Sequence, residues 1–202
     1  TVLDVGSNVG EWAMLCRELH PSAEIHSFEV VPDTYRKYLK NVPIDDKIIP
    51  NGFGLSNEAG TMKIKHSLKF DVLSSSLADL YVGDDFEWRT CLVSTGDDYV
   101  ESRKIDYIDF LKVDVEGAEG VVLEGFKRTL EQEKVGIIQW EYGFANVVSK
   151  WLLIDAYKFL LPYGFHLGLL TPDNILFKNY TLTDEDFKGP NYVAVHKSRL
   201  NI

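Results

Sequence analysis

The stretch TVLDVGSNVGEW, residues 1–12, decides how this chain is read. Thr1 to Val5 has the run of apolar residues expected of a buried strand, and Glu11 to His20 is helix-compatible, so Gly6 and Gly10 fall on a strand-to-helix turn. Glycine at such a turn permits tight bending and close approach of the backbone to a ligand. The next apolar run ends at Phe28-Glu29. That places an acid about 20 residues past the glycines, where it can accept hydrogen bonds from both hydroxyls of an adenosyl ribose. Turn and acid together specify adenosine more narrowly than either does alone.

A dinucleotide fingerprint requires G-x-G-x-x-G, whose middle glycine lets a pyrophosphate approach the helix N-terminus. Here the spacing is G-x-N-x-G, with Asn8 in the middle place. The turn is therefore wider and offers a side-chain amide, which suits the amino-acid end of S-adenosylmethionine better than a diphosphate. No tyrosine is followed by a lysine four residues later, which further weakens a hydride-transfer reading.

With 202 residues, of which 45% are hydrophobic and 12% aromatic, the chain suits one well-filled domain spanning residues 1–202. Its first residue already belongs to a core strand and no initiator methionine precedes it, as expected of a module within a longer polypeptide. Asp155, Lys158, Pro162 and His166 interrupt the most hydrophobic region, so no run of about 18 apolar residues can span a membrane. A soluble chain is expected. Cys16 and Cys91 form no metal-ligand spacing and fit a reducing compartment, hence a cytoplasmic location. A net charge of −10, without a basic stripe, argues against nucleic acid as a partner.

Short apolar runs alternate with helix-period segments, the pattern of parallel βαβ units. Strands are expected at Thr1 to Val5, Glu24 to Val30, Lys47 to Leu55, Asp109 to Val115, Val135 to Glu141, Phe165 to Thr171 and Tyr192 to Lys197. On the first helix Trp12, Leu15, Cys16 and Leu19 mark a common face, and on the second Tyr35, Tyr38 and Leu39 can cover the sheet. Ala118, Val122, Phe126 and Leu130 predict one helix after the fourth strand, and Ser149 is expected to cap another running to Leu161. Asn57 to Val100 is less regular. Thr61 to His66 alternates like a strand, while Ser74 to Ser76 and Gly83 to Asp85 look like loop. This insertion could shape an acceptor pocket.

Leu111 to Glu119, LKVDVEGAE, is the second chemical constellation. Strand geometry puts Lys112, Asp114 and Glu116 on one side of the strand and its exit. A lysine inside a central strand needs a carboxylate partner, and Asp114 or Glu141 is available. Glu119, in a first helical turn, is explained by the macrodipole alone. If the first, fourth and fifth strands are neighbours, Asp4, Asp114 and Glu141 converge at the carboxyl edge. An acidic crater there, with Trp12, Trp140 or Tyr142 nearby, would attract a cationic sulfonium. The histidines are scattered, and His66 is the one worth testing as a base.

These residues resemble the FkbM-type family of S-adenosylmethionine-dependent methyltransferases. The resemblance runs through DVGSNVGEW at 4–12, FEVVPDTYRKYLKN at 28–41, NGFGLSNEAGTMKI at 51–64, DDYV at 97–100, DFLKVDVEGAE at 109–119 and IIQWEYG at 137–143. The DVEGAE segment after a lysine is its most specific part, and Val30, where the family often has proline, is one departure. The family implies an α/β class I methyltransferase fold: a Rossmann-like three-layer sandwich around a seven-stranded, mostly parallel sheet whose last strand is antiparallel. It implies O-methylation of hydroxyls on sugars or natural products. By position, Asp4, Gly6, Ser7, Asn8 and Gly10 would line the methionine part of S-adenosylmethionine, Glu29 the ribose, and Leu55 with Ser56 the adenine.

An alcohol attacking a sulfonium methyl must be aligned and must lose a tightly held proton. Asp114, Glu116 or Glu141 is expected as the base, with Lys112 fixing one of them. A variant places Mg²⁺ on Asp114 and Glu141 to lower the hydroxyl's pKa. The carboxylates, and the absence of an Asn-Pro-Pro-Tyr-like sequence, favour a saccharide acceptor over a base or protein amine. The chain's start fits a module joined to another glycan-modifying domain. The competing classes are an NAD(P)-dependent Rossmann oxidoreductase and a non-catalytic cofactor-binding module.

Overall fold

Four consecutive buried residues, Val2–Val5, form the central strand β1, which pairs in parallel with β2 (Ile25–Phe28) on one side and β8 (Ile108–Val113) on the other. Strands buried on both faces are mostly apolar, and the polar exceptions here, Asp4 on β1, His26 and Ser27 on β2 and Lys112 on β8, are buried with them. The computed structural model describes residues 1–67, 74–76 and 86–200. Beyond β2 lies β3 (Ile48–Asn51), and beyond β8 lies β9 (Val135–Glu141). Then comes β12 (Asn191–His196), antiparallel to β9, and β10 (Phe165–Leu170), antiparallel to β12 and so running with β9. These are six parallel strands and one antiparallel strand, as expected. A short edge strand, β11 (Ile175–Phe177), makes the sheet eight-stranded, in the order β11-β10-β12-β9-β8-β1-β2-β3.

The expected third strand is broken. Gly52 and Gly54 let the chain pass the Tyr35 ring and Val30, where added Cβ atoms would meet side-chain atoms at 2.7 and 2.9 Å. The chain then leaves the main sheet, and β4 (Gly54–Ser56) joins a second sheet, ordered β4-β7-β5-β6. In it β5 (Gly60–Ser67), with the alternation seen in the sequence, pairs antiparallel with β7 (Phe86–Thr95) and with β6 (Ser74–Ser75). The ten residues of β7 form a strand inside the stretch expected to be irregular; few of them are buried, so their apolar alternation is weak. Ser74 and Ser75 are strand rather than loop, and Gly83 to Asp85 lie outside the described residues.

Helices cover both faces of the main sheet. On one face α1 (Glu11–Leu19) and α2 (Pro32–Asn41) pack Ala13, Cys16 and Tyr38 against Val2, Ile25 and Ile48. Leu15, Leu19 and Leu39, expected on the covering faces, are exposed. On the other face Leu3, Val5, Leu111, Val113, Ile138 and Trp140 meet residues from α3 (Gly96–Arg103), α4 (Glu119–Glu124), α5 (Lys127–Glu131) and α7 (Leu153–Leu160). The single helix predicted from Ala118 is two, α4 and α5. They part at Gly125, whose Cβ would lie 2.1 Å from the Ser56 carbonyl oxygen. Ser149 does not cap a helix to Leu161. It ends α6 (Phe144–Ser149), Lys150 turns left-handed at φ 59°, and Asp155 Oδ2 accepts from the Leu152 N–H at 3.0 Å to start α7. The turn seats Trp151 on Gly120, where a Cβ would lie 2.6 Å from its ring. No helix among the described residues is long and apolar enough to cross a membrane.

Candidate functional site

At the carboxyl end of β1 the backbone turns through Gly6 (φ 85°), Asn8 (φ 48°) and Gly10 (φ 93°). Left-handed conformations cost a side-chain-bearing residue, so glycine is favoured at both ends of the bend. Space demands it too. A Cβ on Gly6 would lie 1.8 Å from the Asp114 carbonyl oxygen, and one on Gly10 would lie 2.2 Å from a Val42 methyl. The Gly6 and Ser7 N–H groups both donate to the Phe28 carbonyl, at 3.0 and 2.9 Å. Glu29, buried at the end of β2, braces the bend: its Oε2 accepts from the Asn8 N–H at 3.0 Å and its Oε1 from the Val31 N–H at 2.8 Å.

A cavity runs along this edge. Gly6, Asn8, Phe28, Glu29, Leu55, Asp114, Val115 and Glu116 line it, together with Met62, Ile64 and Ser75 of the second sheet. Asn8 Oδ1 is buried on this cavity without a hydrogen-bond partner among the described residues. A lone buried acceptor is costly unless something donates to it.

The sequence-derived residues separate into groups. Gly6, Asn8, Glu29, Leu55, Asp114 and Glu116 share the first cavity. Asp4 lies fully buried under the bend, off the cavity, with Oδ1 3.4 Å from Lys112 Nζ. Lys112 Nζ also donates to Asp114 Oδ2 at 3.1 Å. Burial works against the lysine's charge, but the two carboxylates outweigh it and hold its pKa above the ordinary value. Of the two carboxylates expected as partners of Lys112, Asp114 is the one that pairs with it, and Glu141 lines a second cavity. Ser7 and Ser56 are buried, and neither lines the first cavity, while Gly10 closes the bend by donating to the Ser7 carbonyl at 2.9 Å. Trp140 and Tyr142 are fully buried core rings, Trp12 stacks on Phe110 with Lys112 Nζ 5.8 Å above its ring, and His66 is buried in β5.

The donor set does not fit Mg²⁺. Mg²⁺ keeps several waters and is held by one or two carboxylates, and the two expected to hold it are divided, Asp114 lining the first cavity and Glu141 the second. Among the described residues no three His, Cys, Asp or Glu side chains gather as ligands, and Asp114 already faces an ammonium.

Two residues that the sequence explained away or missed tie the site together. Glu119 is buried, and its Oε1 accepts from the Val115 and Gly117 N–H groups at 3.2 and 3.1 Å, pinning the turn that carries Glu116. Burial pushes its carboxyl up to about 7, against the pull of those N–H groups. Asn146, from α6, reaches its Oε2 at 3.5 Å and accepts from the Gly143 N–H at 2.8 Å. The pair links the exit of β8 to the exit of β9, which carries Glu141. Glu119 is also at an acid position near two free turn N–H groups, a signal legible in principle. Asn146 gave none, since it lies 27 positions from its partner.

Against known proteins, residues 4–167 match the methyltransferase FkbM domain. The hexuronic acid methyltransferase AglP of Haloferax volcanii is 29% identical over 141 residues, covering 69% of this chain and 55% of that protein. The chain thus spans about half the length of this relative. The 2-O-methyltransferase NoeI of Sinorhizobium fredii is 26% identical over 173 residues, covering 80% of this chain and 70% of that protein. Among solved structures, a precorrin-6y C5,15-methyltransferase from Geobacter metallireducens aligns with a TM-score of 0.52 at 10% identity, over 96% of this chain and 78% of that one. The fold is that of class I methyltransferases.

Proposed function

Because this chain belongs to the FkbM family of methyltransferases, we propose that it transfers a methyl group from S-adenosylmethionine to a hydroxyl of a saccharide. The observation that carries this reading is the continuity of one cavity from Glu29 and Leu55 to Asp114 and Glu116. A carboxylate offers about four acceptor positions, so a Glu29 that braces two backbone N–H groups is compatible with receiving ribose hydroxyls. The unpartnered Asn8 Oδ1 suits an ammonium, and Leu55 supplies apolar surface for a purine.

S-adenosylmethionine, when bound, supplies an electrophilic methyl group on a cationic sulfur. With it bound, this chain's part would be to hold the acceptor hydroxyl in line with that methyl group and to receive the hydroxyl proton on a carboxylate as the methyl leaves sulfur for oxygen. Glu141 is the base we favour. Asp114 is engaged by Lys112, whereas burial, and then the negative charge of Asp114, raise the Glu141 carboxyl above its usual range despite the counter-pull of Lys112. A raised pKa makes a stronger base near neutrality. The names of AglP and NoeI, one acting on a hexuronic acid and one at a 2-oxygen, support a sugar oxygen as acceptor.

Calorimetry with S-adenosylhomocysteine and with NAD, followed by mass spectrometry of an oligosaccharide panel, tests the proposal. Binding of the former alone, and a gain of one CH₂ on a sugar, is the expected outcome. Preference for NAD would sink it, and cofactor binding without any methylated sugar would leave a non-catalytic or differently directed module.

A further inference from the structure

The connection between β11 and β12, residues 178–190, lies beyond the stretch that matches the FkbM domain, yet it returns to the exit of β9, where Asn191 pairs with Glu141. Just before that pair Gly189, left-handed at φ 80°, passes so near that an added Cβ would lie 3.4 Å from Glu141 Oε1. Three bonds tie the same segment to Tyr142, the residue after Glu141. The Gly189 N–H donates to the Tyr142 carbonyl at 3.0 Å, the Tyr142 N–H donates to the Pro190 carbonyl at 3.0 Å, and the Tyr142 hydroxyl donates to Glu185 Oε2.

Glu185 is the joint. Its Oε2 also accepts from the Leu153 N–H at 3.1 Å and its Oε1 from the Ile154 N–H at 3.0 Å, both at the start of α7. A helix start leaves such N–H groups without an internal partner. Burial works against the charge of Glu185, but the Tyr142 hydroxyl and these N–H groups outweigh it and hold its carboxyl below the usual range. Tyr142 keeps the proton that it donates, because burial and then the Glu185 carboxylate push its hydroxyl's pKa up. Capping α7 explains two of the bonds to Glu185, and the bond to Tyr142 is left over.

We propose that Glu185 is a positioning residue for Glu141: by gripping the Tyr142 hydroxyl it holds the backbone from Phe187 to Pro190 against the Glu141 carboxyl. The inference rests on the methyl-transfer reading, with Glu141 as base, and adds the residue that prepares that base. A flank of backbone keeps water from one side of the carboxyl, and a carboxyl kept from water holds a proton more tightly. The other charged groups near Glu141 come from elsewhere. Asp114, which adds to the effect of burial, and Lys112, which opposes it, belong to β8 and its exit, and Glu116 and Glu119 to the turn and helix that follow. Lys188, on the segment itself, pairs with Asp186 at 3.2 Å.

The test is a carbon-detected NMR titration of the glutamate carboxyls in the intact protein, the Glu141 signal being assigned by its loss in Glu141→Gln. Wild type, Glu185→Gln, Tyr142→Phe and the double variant are compared. Cutting the clamp should lower the Glu141 midpoint by about one pH unit, a modest part of what full burial does to a carboxyl. Tyr142→Phe removes the hydroxyl and keeps both bonds from Glu185 to α7, so it reads the clamp even where Glu185→Gln destabilises that helix. The double variant should add nothing to either single one, because both cut the same contact. With a methylated sugar in hand, the acid limb of kcat should move down with the midpoint while S-adenosylhomocysteine affinity holds. A Glu141 midpoint unmoved in both single variants, whatever their loss in urea stability, would reduce Glu185 to a helix cap and overturn the inference. A midpoint that moves while Glu141→Gln still methylates would leave the clamp standing and overturn Glu141 as the base.

Discussion

Gly6 is where the bend has least freedom. It needs φ 85°, and its Cα faces the Asp114 carbonyl so closely that a methyl group would sit 1.8 Å from that oxygen. A left-handed alanine costs about 1–2 kcal/mol before any clash. Gly6→Ala is expected to push β1 and β8 apart at their exits and to weaken S-adenosylhomocysteine binding more than tenfold in calorimetry; near-normal affinity would separate the bend from the cofactor. Glu119 carries a different prediction. Burial lifts its carboxyl from an ordinary value of 4.5 to about 7, so between those values the folded state holds a proton that the unfolded state has released. Its contribution to stability is complete below the unfolded pKa and is lost as pH rises through 7. Wild-type denaturant midpoints should therefore fall between pH 5 and 8 by a component that Glu119→Gln abolishes, and parallel pH profiles for the two proteins would refute the assignment. Both residues show how the sequence spoke unequally. The glycines announced themselves by spacing, whereas Glu119 looked like an ordinary helix-start acid until its carboxylate was seen folded back on Val115 and Gly117.

Helix periodicity marked where helices lie, but what starts and stops them was often supplied from elsewhere in the chain. Helix α5 has no local side-chain cap. Its exposed N–H groups are satisfied by Asp97 at the start of α3: Oδ2 accepts from the Arg128 N–H at 2.9 Å, and Oδ1 from the Thr129 N–H at 2.9 Å and the Thr129 hydroxyl at 2.7 Å. Replacing a capping carboxylate costs about 0.5–2 kcal/mol. Asp97→Ala should lower stability within that range in urea unfolding without changing cofactor affinity, and a neutral result would deny the cap its role. The break at Gly125 belongs to the same scale. The period of Ala118, Val122, Phe126 and Leu130 is genuine, yet the Ser56 carbonyl presses on Gly125 and divides the helix, a contact no window of sequence contains.

The main sheet fixes the order in which the molecule should open. Strands β1, β8 and β9 are flanked on both sides and buried by helices on at least one face, whereas β11 is a three-residue edge strand whose Leu176 and Phe177 are exposed. Local opening follows burial and pairing. Hydrogen exchange should protect β1 and β8 to the global limit and release β11 first, and uniform exchange across the sheet would contradict this layering. At this scale the sequence by itself determined the alternating α/β architecture, the glycine bend and the acid that follows β2. Each of these is a local pattern, set by backbone conformation and by side-chain period over a few residues. Tertiary structure alone decided that the chain leaves the main sheet after Asn51 to build a second one, that Lys112 takes Asp4 as a partner besides the expected Asp114, and that Glu119 and Asn146 join two strand exits around a second cavity. The partners in those contacts are distant in sequence or hidden behind it, and which of them meet is chosen by the burial of the whole core, a quantity no short segment carries.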